Sequence, residues 1–512
     1  MILHGSWPEG LERTFTAYEH ALMSDDTTAL DALFETGEGT LRGDDAGLLR
    51  GHDAIRAFRS GRGGVARRTI ASVDIRRLTP DSALVVGESV FVDGGRGLQT
   101  QLWCRTDATW RIRAAHVTGR PTAFARTVWR VVGDPLVHGA PDGPLTGIRV
   151  AVKDLYAVRG HVVGAGNPTW ERSASVSTVT APAAQVLLDA GADVTGIART
   201  DEFAYSLAGR NAHFGSPPNG AARTRIGGGS SSGSASAVAL GQADLGLGTD
   251  TAGSLRVPSS YQGLWGLRTT HGSVPRDGLV PLAQSFDTVG WIARSASVLA
   301  AAAGASIRAG ADADADVDVD VDVDDGTLLV CDALLDVVEP ATAEAFRGWL
   351  AATRRPVRRI DLPPPDDLAE TLRIIQAAEA WRNHGPWVDA HPGALGDDVA
   401  ARFAAAATIT AEHEARARER LDRLRTRVRE AIGPGVLALP TVPGPAPLRT
   451  ATGDVVQRTR LATLRMTAVA GIGGLPAVSA PFLRVADAPV GVCLIGPAGS
   501  DRAIVALAGT LS

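Results

Sequence analysis

Residues 227–266 read GGGSSSGSASAVALGQADLGLGTDTAGSLRVPSSYQGLWG, and few segments restrict a fold more tightly. A loop of glycine and serine runs into the alanine-rich residues 235–241, expected as a helix. Residues 244–248 follow as a short strand, and a second glycine-bearing turn then carries Ser254. Glycine at such places serves a tight turn or a close backbone approach that a Cβ would block. The segment predicts an α/β arrangement in which two serine-bearing turns, one at residues 230–231 and one at Ser254, face one cavity.

Serine becomes a strong nucleophile only when a base takes its proton. No Gly-x-Ser-x-Gly elbow is present and no histidine flanks either turn, so a Ser-His-Asp triad has no local support. Composition supplies another candidate. Of 51 basic residues, fifty are arginine and one, Lys153, is lysine. Arginine keeps its proton in a protein, whereas a desolvated lysine can become a neutral amine. Moving a lysine from about 10.4 to near 7 takes roughly 4 to 5 kcal/mol of desolvation and charge effects. A strand end packed under an apolar sheet can supply that, and residues 147–152 are predicted to be a strand ending at Lys153.

Several function classes are disfavoured by the rest of the composition. The net charge of −5 argues against a broad nucleic-acid surface. Residues 311–325 alternate Ala or Val with Asp and hold eight acids; without them the remainder would stand at +3. That repeat has little to bury and repels itself, so it is expected as a solvated loop insertion; its spacing does not suit a calcium loop. No run of about 18 apolar residues is present for a membrane span. The first residues lack a basic region followed by an apolar stretch, and a cytoplasmic protein is expected. Cys104, Cys331 and Cys493 have no CxxC spacing, and the eleven histidines form no HxH or HExxH pattern, so neither disulfides nor a metal site is expected.

At roughly 150 residues per domain, 512 residues allow two to four domains. Residues 1–125 read as α+β. Leu11, Phe15, Tyr18 and Leu22 recur at helical spacing, Leu30, Leu33 and Phe34 continue an apolar face, and a short helix is expected over 51–59. Strand-like runs follow at 69–77, 83–92, 98–105 and 109–117. Residues 126–144 carry Gly-Asp-Pro and Gly-Pro loop chemistry and are read as a linker. From 145 to 512 short apolar strands alternate with Ala-rich helices.

On the residues FTAYEHAL (15–22), GHDAIRAFR (51–59), QTQLW (99–103) and WRIRAAHV (110–117), the first segment resembles the AtzH-like branch of the NTF2-like, cystatin-like α+β superfamily. The resemblance implies a cone with a pocket; His116, Glu88 and Arg105 are candidates for its polar groups, though packing or rim roles are favoured for them. The second segment resembles the amidase signature family. The matching motifs, in family order, are VAVKD (150–154), residues 227–234, GTDTAGSLRVP (248–258), GLWGLR (263–268) and GLPAVSAP (474–481). This implies a mixed central sheet flanked by helices.

Carried over residue by residue, the resemblance makes Ser254 the nucleophile, Lys153 the base and Ser230 the bridging serine on a cis peptide. Ser231 is its register-shifted rival. Backbone N–H groups of Thr251, Ala252 and Gly253 would receive the oxyanion, and no metal or organic cofactor is implied. Ala252 and Ser232 stand where glycine is common, Arg268-Thr-Thr replaces a Lys-Pro-Thr run and Trp291 a proline; none of these removes a catalytic group. Asp154, Asp250 and Arg256 are expected to hold loops, and Trp381, Arg382 and His384 are not favoured as walls of an acyl pocket.

The implied activity is hydrolysis of a carboxamide or ureido-type carbon–nitrogen bond through an acyl-enzyme. The alternatives are a glutamine-dependent amidotransferase-like subunit and a non-catalytic assembly or binding protein on the same scaffold. The expected partner is a small-molecule amide substrate, with no nucleic acid and no membrane; assembly into a homo-oligomer is left open.

Overall fold

A computed structural model describes residues 2–511 except 45–46, 63–67, 92–95, 118–124, 308–320 and 325. The chain separates into two compact units, 1–124 and 125–512.

In the first unit, the helix Leu11–Ser24 buries Leu11, Phe15, Tyr18 and Ala21 against a seven-stranded sheet. Four long antiparallel strands, Arg68–Thr79, Ser82–Phe91, Arg96–Thr106 and Thr109–Val117, make a meander whose inward residues include Val73, Val85, Trp103 and Ile112. Alternating burial along these strands follows from the period-two side-chain geometry of a sheet with one packed face. The hairpin Leu41–Asp44 with Gly47–Arg50 lies outside the sequence expectations. Its four-residue arms are too short to show a period.

The second unit is built on an eleven-stranded mixed sheet. Third from one edge, Arg149–Lys153 runs parallel to both Leu245–Asp250 and Asp193–Ala198. These strands are buried on both faces, which is why they read as unbroken apolar runs. The expected helix at 235–241 spans Ser232–Ala239, and the expected strand at 244–248 spans Leu245–Asp250. Within the stretch read as a linker, Trp129–Val137 is a strand pairing antiparallel with Asp193–Ala198. It is one of the two edge strands of the sheet, where Pro135 removes no ladder bond that a further neighbour would need.

Most of the acidic repeat, 311–320 and 325, lies outside the described residues. Of the remainder, Val321 and Asp324 donate backbone hydrogen bonds to the Gly499 and Pro434 carbonyls. All three cysteines are buried and free. Among the described residues no helix is long and apolar enough to cross a membrane.

Candidate active site

Lys153 is the last residue of an interior strand of the sheet, and Thr249 lies near the C-terminal end of its parallel neighbour. The carboxyl ends of adjacent parallel strands are where open α/β sheets present their ligand sites. Between these two ends the glycine-serine loop enters the helix Ser232–Ala239. Gly233 is fixed there by contact: a Cβ on it would stand 2.4 Å from the Arg199 carbonyl oxygen and 2.5 Å from that of Val128. Only a bare backbone brings the loop this close to the sheet.

The loop delivers its serines to the lysine. Lys153 Nζ lies 2.8 Å from Ser230 Oγ, 3.1 Å from Ser231 Oγ and 2.7 Å from Thr249 Oγ1, and all four residues are buried. The peptide joining Gly229 to Ser230 is cis. Ser231, the register-shifted alternative, also touches the lysine, but its hydroxyl is engaged with the Thr249 carbonyl (3.3 Å). Burial pushes the Lys153 ammonium down to about 7, against the opposing pull of Asp201, Asp250 and Asp287. Desolvation penalises the charged form of an amine, so the lysine is neutral in a large fraction of molecules near neutral pH.

Ser254 follows a turn in which Gly253 adopts φ +123°, a conformation that disfavours any side chain. Its carbonyl accepts from the Ser231 N–H (3.2 Å), which ties the two serine turns together, while its own hydroxyl makes no hydrogen bond among the described residues. The turn is held by Asp250, whose carboxylate accepts from Gly253 N (2.8 Å), Leu255 N (3.2 Å) and the Arg256 guanidinium (2.8 and 3.0 Å). Arg268 adds a contact at 3.1 Å. Burial alone would raise the Asp250 pKa, but the two guanidinium groups hold it well below the usual carboxylate range. Asp250 and Arg256 thus hold the loop, as expected, and Asp154 likewise binds Arg130 (2.9 Å) and Gly164 N (2.9 Å).

The oxyanion expectation needs one correction. Gly253 is not free to act as a donor beside Thr251 and Ala252, because its N–H is already committed to Asp250 Oδ1. The N–H groups of Thr251 and Ala252 make no hydrogen bond among the described residues. The carbonyl of Ala252 accepts from Thr467 Oγ1 (2.7 Å).

Sequence reasoning missed four members of this neighbourhood. Thr249 binds the lysine directly. Thr467 clamps the turn from the helix Gly453–Gly473. Asp287 accepts from Thr251 Oγ1 (2.6 Å) and from Leu282 N and Ala283 N (2.9 Å each), and is also a wall of a cavity of about 410 Å³ lined by Val274, Arg276, Pro281 and Gln284. Asp201, pushed up to about 6 by burial, receives the Gly209 N–H (2.9 Å) and donates its own N–H to the Ser230 carbonyl (3.1 Å). Only Thr249 sits inside a recognised motif; the others come from elsewhere in the sequence.

Further residues singled out from sequence lie elsewhere. Trp291 is core, between Leu247 and Leu267 on the flanking strands. His384 binds the Pro281 carbonyl (2.7 Å), Arg382 pairs with Glu414 (2.6 Å), and Trp381 packs against a cluster containing Phe203 and Phe403. In the first unit Arg105 pairs with Asp81 (2.8 Å), His116 is exposed, and Glu88 receives the Ser72 hydroxyl (3.2 Å). The enclosed polar group there is instead Glu19, Arg68 and Gln99, mutually bonded at 2.6 to 3.0 Å. No group of three or more His, Cys, Asp or Glu among the described residues is placed to hold a metal ion.

Comparison with known proteins identifies the family. The family model described as Amidase matches residues 133–505, and one described as AtzH-like matches residues 9–121. Amidase 1 of Arabidopsis thaliana is 33% identical over 76% of this chain and 98% of its own length. A glutamyl-tRNA(Gln) amidotransferase subunit of Haloarcula marismortui is 33% identical over 73% of this chain and 97% of its own. The solved structure of an S177A allophanate hydrolase of Kluyveromyces lactis superposes with a TM-score of 0.66 at 26% identity, covering 72% of this chain and 62% of that one.

Proposed function

The chain belongs to the amidase family, and from that premise we propose that it hydrolyses a carboxamide or ureido-type carbon–nitrogen bond with Lys153, Ser230 and Ser254 as its chemical groups. The observation that carries this reading is the buried lysine with three hydroxyl oxygens within 3.1 Å of its Nζ.

A neutral amine has two N–H groups and one lone pair. Ser231 spends its proton on the Thr249 carbonyl, so it can only accept from the lysine, and Thr249 Oγ1 is placed to accept the second N–H. The lone pair is then left for the Ser230 O–H. Ser230 passes its proton to Lys153 and takes one from Ser254, which attacks the substrate carbonyl. The bond between Ser254 Oγ and the carbonyl carbon forms as the carbonyl π bond opens, and the oxyanion is received by the N–H groups of Thr251 and Ala252. Collapse breaks the carbon–nitrogen bond, with Ser230 returning the proton to the leaving nitrogen. Water, deprotonated by the same relay, releases the acid and restores Ser254. The unengaged Ser254 hydroxyl suits a resting site, since catalytic hydrogen bonds often tighten only with substrate bound.

A second reading, an amidotransferase-like role, has the likeness to the Haloarcula protein behind it. It needs a partner chain to consume the released ammonia, and the additional AtzH-like unit and net negative charge disfavour it. Ammonia release from simple amides, aryl amides and ureido compounds, measured on wild type, Lys153→Ala and Ser254→Ala, tests the proposal. Turnover of a panel member by wild type alone supports it; turnover undiminished in Ser254→Ala sinks it.

A further inference from the structure

A groove of about 540 Å³ runs between the helix Pro365–Ala390 and the helix Ala411–Ile432, and no residue of the lysine–serine site lines it. Its apolar lining is Ile374, Ala417 and Leu424, and Arg416, Arg420, Arg423 and Arg427 stand along one wall. These arginines are four, three and four residues apart. They fall on one face of the helix, about 4.5 to 6 Å from one to the next along its axis.

The four are not equally answered. Arg416 pairs with Glu412 and Arg420 with Asp367. Arg423 and Arg427 are exposed and make neither a hydrogen bond nor an ion pair among the described residues. Both lie toward the C-terminal end of the helix, Arg427 five residues, or about 8 Å, before its last residue.

The acidic repeat rejoins the described structure beside that end. The Asp324 N–H donates to the carbonyl of Pro434 (2.8 Å), two residues past Ile432, and the Val321 N–H to that of Gly499 (3.1 Å). This short stretch shows how the repeat divides its faces. Val321 and Val323 are half-buried, with Val323 packed on the core, while Asp322 and Asp324 are exposed. The same alternation continues upstream through Asp320, Asp318, Asp316, Asp314 and Asp312. In an extended chain every second residue lies on one side, about 6.6 Å from the next, close to the spacing of the arginines. Thirteen residues, 308–320, separate Ile307 from Val321, enough for an excursion of about 20 Å and back.

We propose that the acidic repeat of this chain docks in the groove of the same molecule, its carboxylates on Arg423 and Arg427 and its Ala and Val side chains against Ile374 and Leu424. The proposal does not depend on the hydrolytic reading. It answers two charge imbalances at once, since the repeat repels itself and the two arginines have no counter-charge. A guanidinium fork binds both oxygens of a carboxylate, and arginine stems tolerate apolar neighbours. One exposed ion pair is weak, so the contact depends on several pairs and on the tether, which holds the repeat near the groove at an effective concentration of roughly millimolar.

The test uses the full chain, the double variant Arg423→Gln/Arg427→Gln, and a chain in which Asp312, Asp314, Asp316, Asp318 and Asp320 are all replaced by asparagine. Cleavage within 311–320 by an Asp-directed endoproteinase tracks the undocked fraction when undocking is fast. At low salt, wild type is expected to be cut at least fivefold more slowly than the double variant, and about 0.5 M salt should remove the difference. A fluorescent peptide with the sequence of 311–320 is expected to bind the asparagine chain at least tenfold more tightly than wild type, whose groove is already filled. Adding Arg423→Gln/Arg427→Gln to the asparagine chain should abolish that binding. Equal cleavage of wild type and double variant, with matching melting temperatures, overturns the docking. So does a peptide that binds no chain, or that binds wild type and the asparagine chain alike. Protection that fades on dilution, with dimers in light scattering, overturns docking within one molecule and puts the repeat of a second copy in the groove.

Discussion

Thr249 Oγ1 lies 2.7 Å from Lys153 Nζ, closer than either serine hydroxyl. It comes from the neighbouring parallel strand and fixes the lysine in a direction the loop alone does not. A hydroxyl that accepts from the amine also favours its protonated form. Thr249→Val keeps the shape and removes the acceptor. The acid limb of the kcat/KM profile should move to lower pH, with kcat down about tenfold, within the range for a misplaced general base. A limb that stays in place would show that Thr249 leaves the lysine unaffected.

The wild-type profile should itself rise as pH passes about 7, where the folded lysine loses its proton. The same shift has a stability consequence. Between about 7 and 10.5 the unfolded chain carries a proton on Lys153 and the folded chain does not, so unfolding takes up a proton and the contribution of this residue to stability rises with pH. Relative to Lys153→Met, wild type should gain about 2.5 kcal/mol between pH 7.5 and 9.5, just under the limiting slope of roughly 1.4 kcal/mol per pH unit. Urea titrations at the two pH values check the sign; a constant difference would mean that the folded lysine stays charged.

Arg256→Met leaves the Asp250 carboxylate enclosed with one cation fewer. Breaking a buried pair by removing one partner costs about 3 to 5 kcal/mol. Because Asp250 also holds the Gly253 N–H, turnover should fall alongside stability. Chemical denaturation together with kcat at a temperature where the variant is folded separates the two effects.

Gly233→Ala puts a methyl against two carbonyl oxygens that belong to backbone and cannot swing aside. The loop must retreat, carrying Ser230 and Ser231 off the lysine. A loss of about 3 kcal/mol or more is expected, at or above the upper end for overpacking, with activity lost in whatever folded protein remains. An intact melting temperature would show that the contact relaxes freely.

Much of the catalytic unit was legible because its determinants are local. The glycine-serine loop, the short strand into Asp250 and the strand ending at Lys153 each occupy a few consecutive residues whose spacing survives folding. Thr467 and Asp287 were not legible, since they reach the site through helix packing and loop return, and a threonine or aspartate in such places looks like any other. Gly253 shows a different limit. Sequence places its N–H in the right turn, but whether that N–H is free depends on where the Asp250 carboxylate lands. In the first unit the meander was visible in alternating residues, whereas the enclosed Glu19–Arg68–Gln99 group joins a helix to two strands and has no sequence signature.

The one lysine of this chain has no exposed surface. A folded molecule therefore offers acylating reagents no lysine side chain at all, although exposed arginines still put cations on its outside. Any lysine adduct that forms must arise from a molecule whose strand ending at Lys153 has been uncovered. Labelling read at Lys153 itself, apart from the α-amino group, here becomes a clock for the opening of a single buried position.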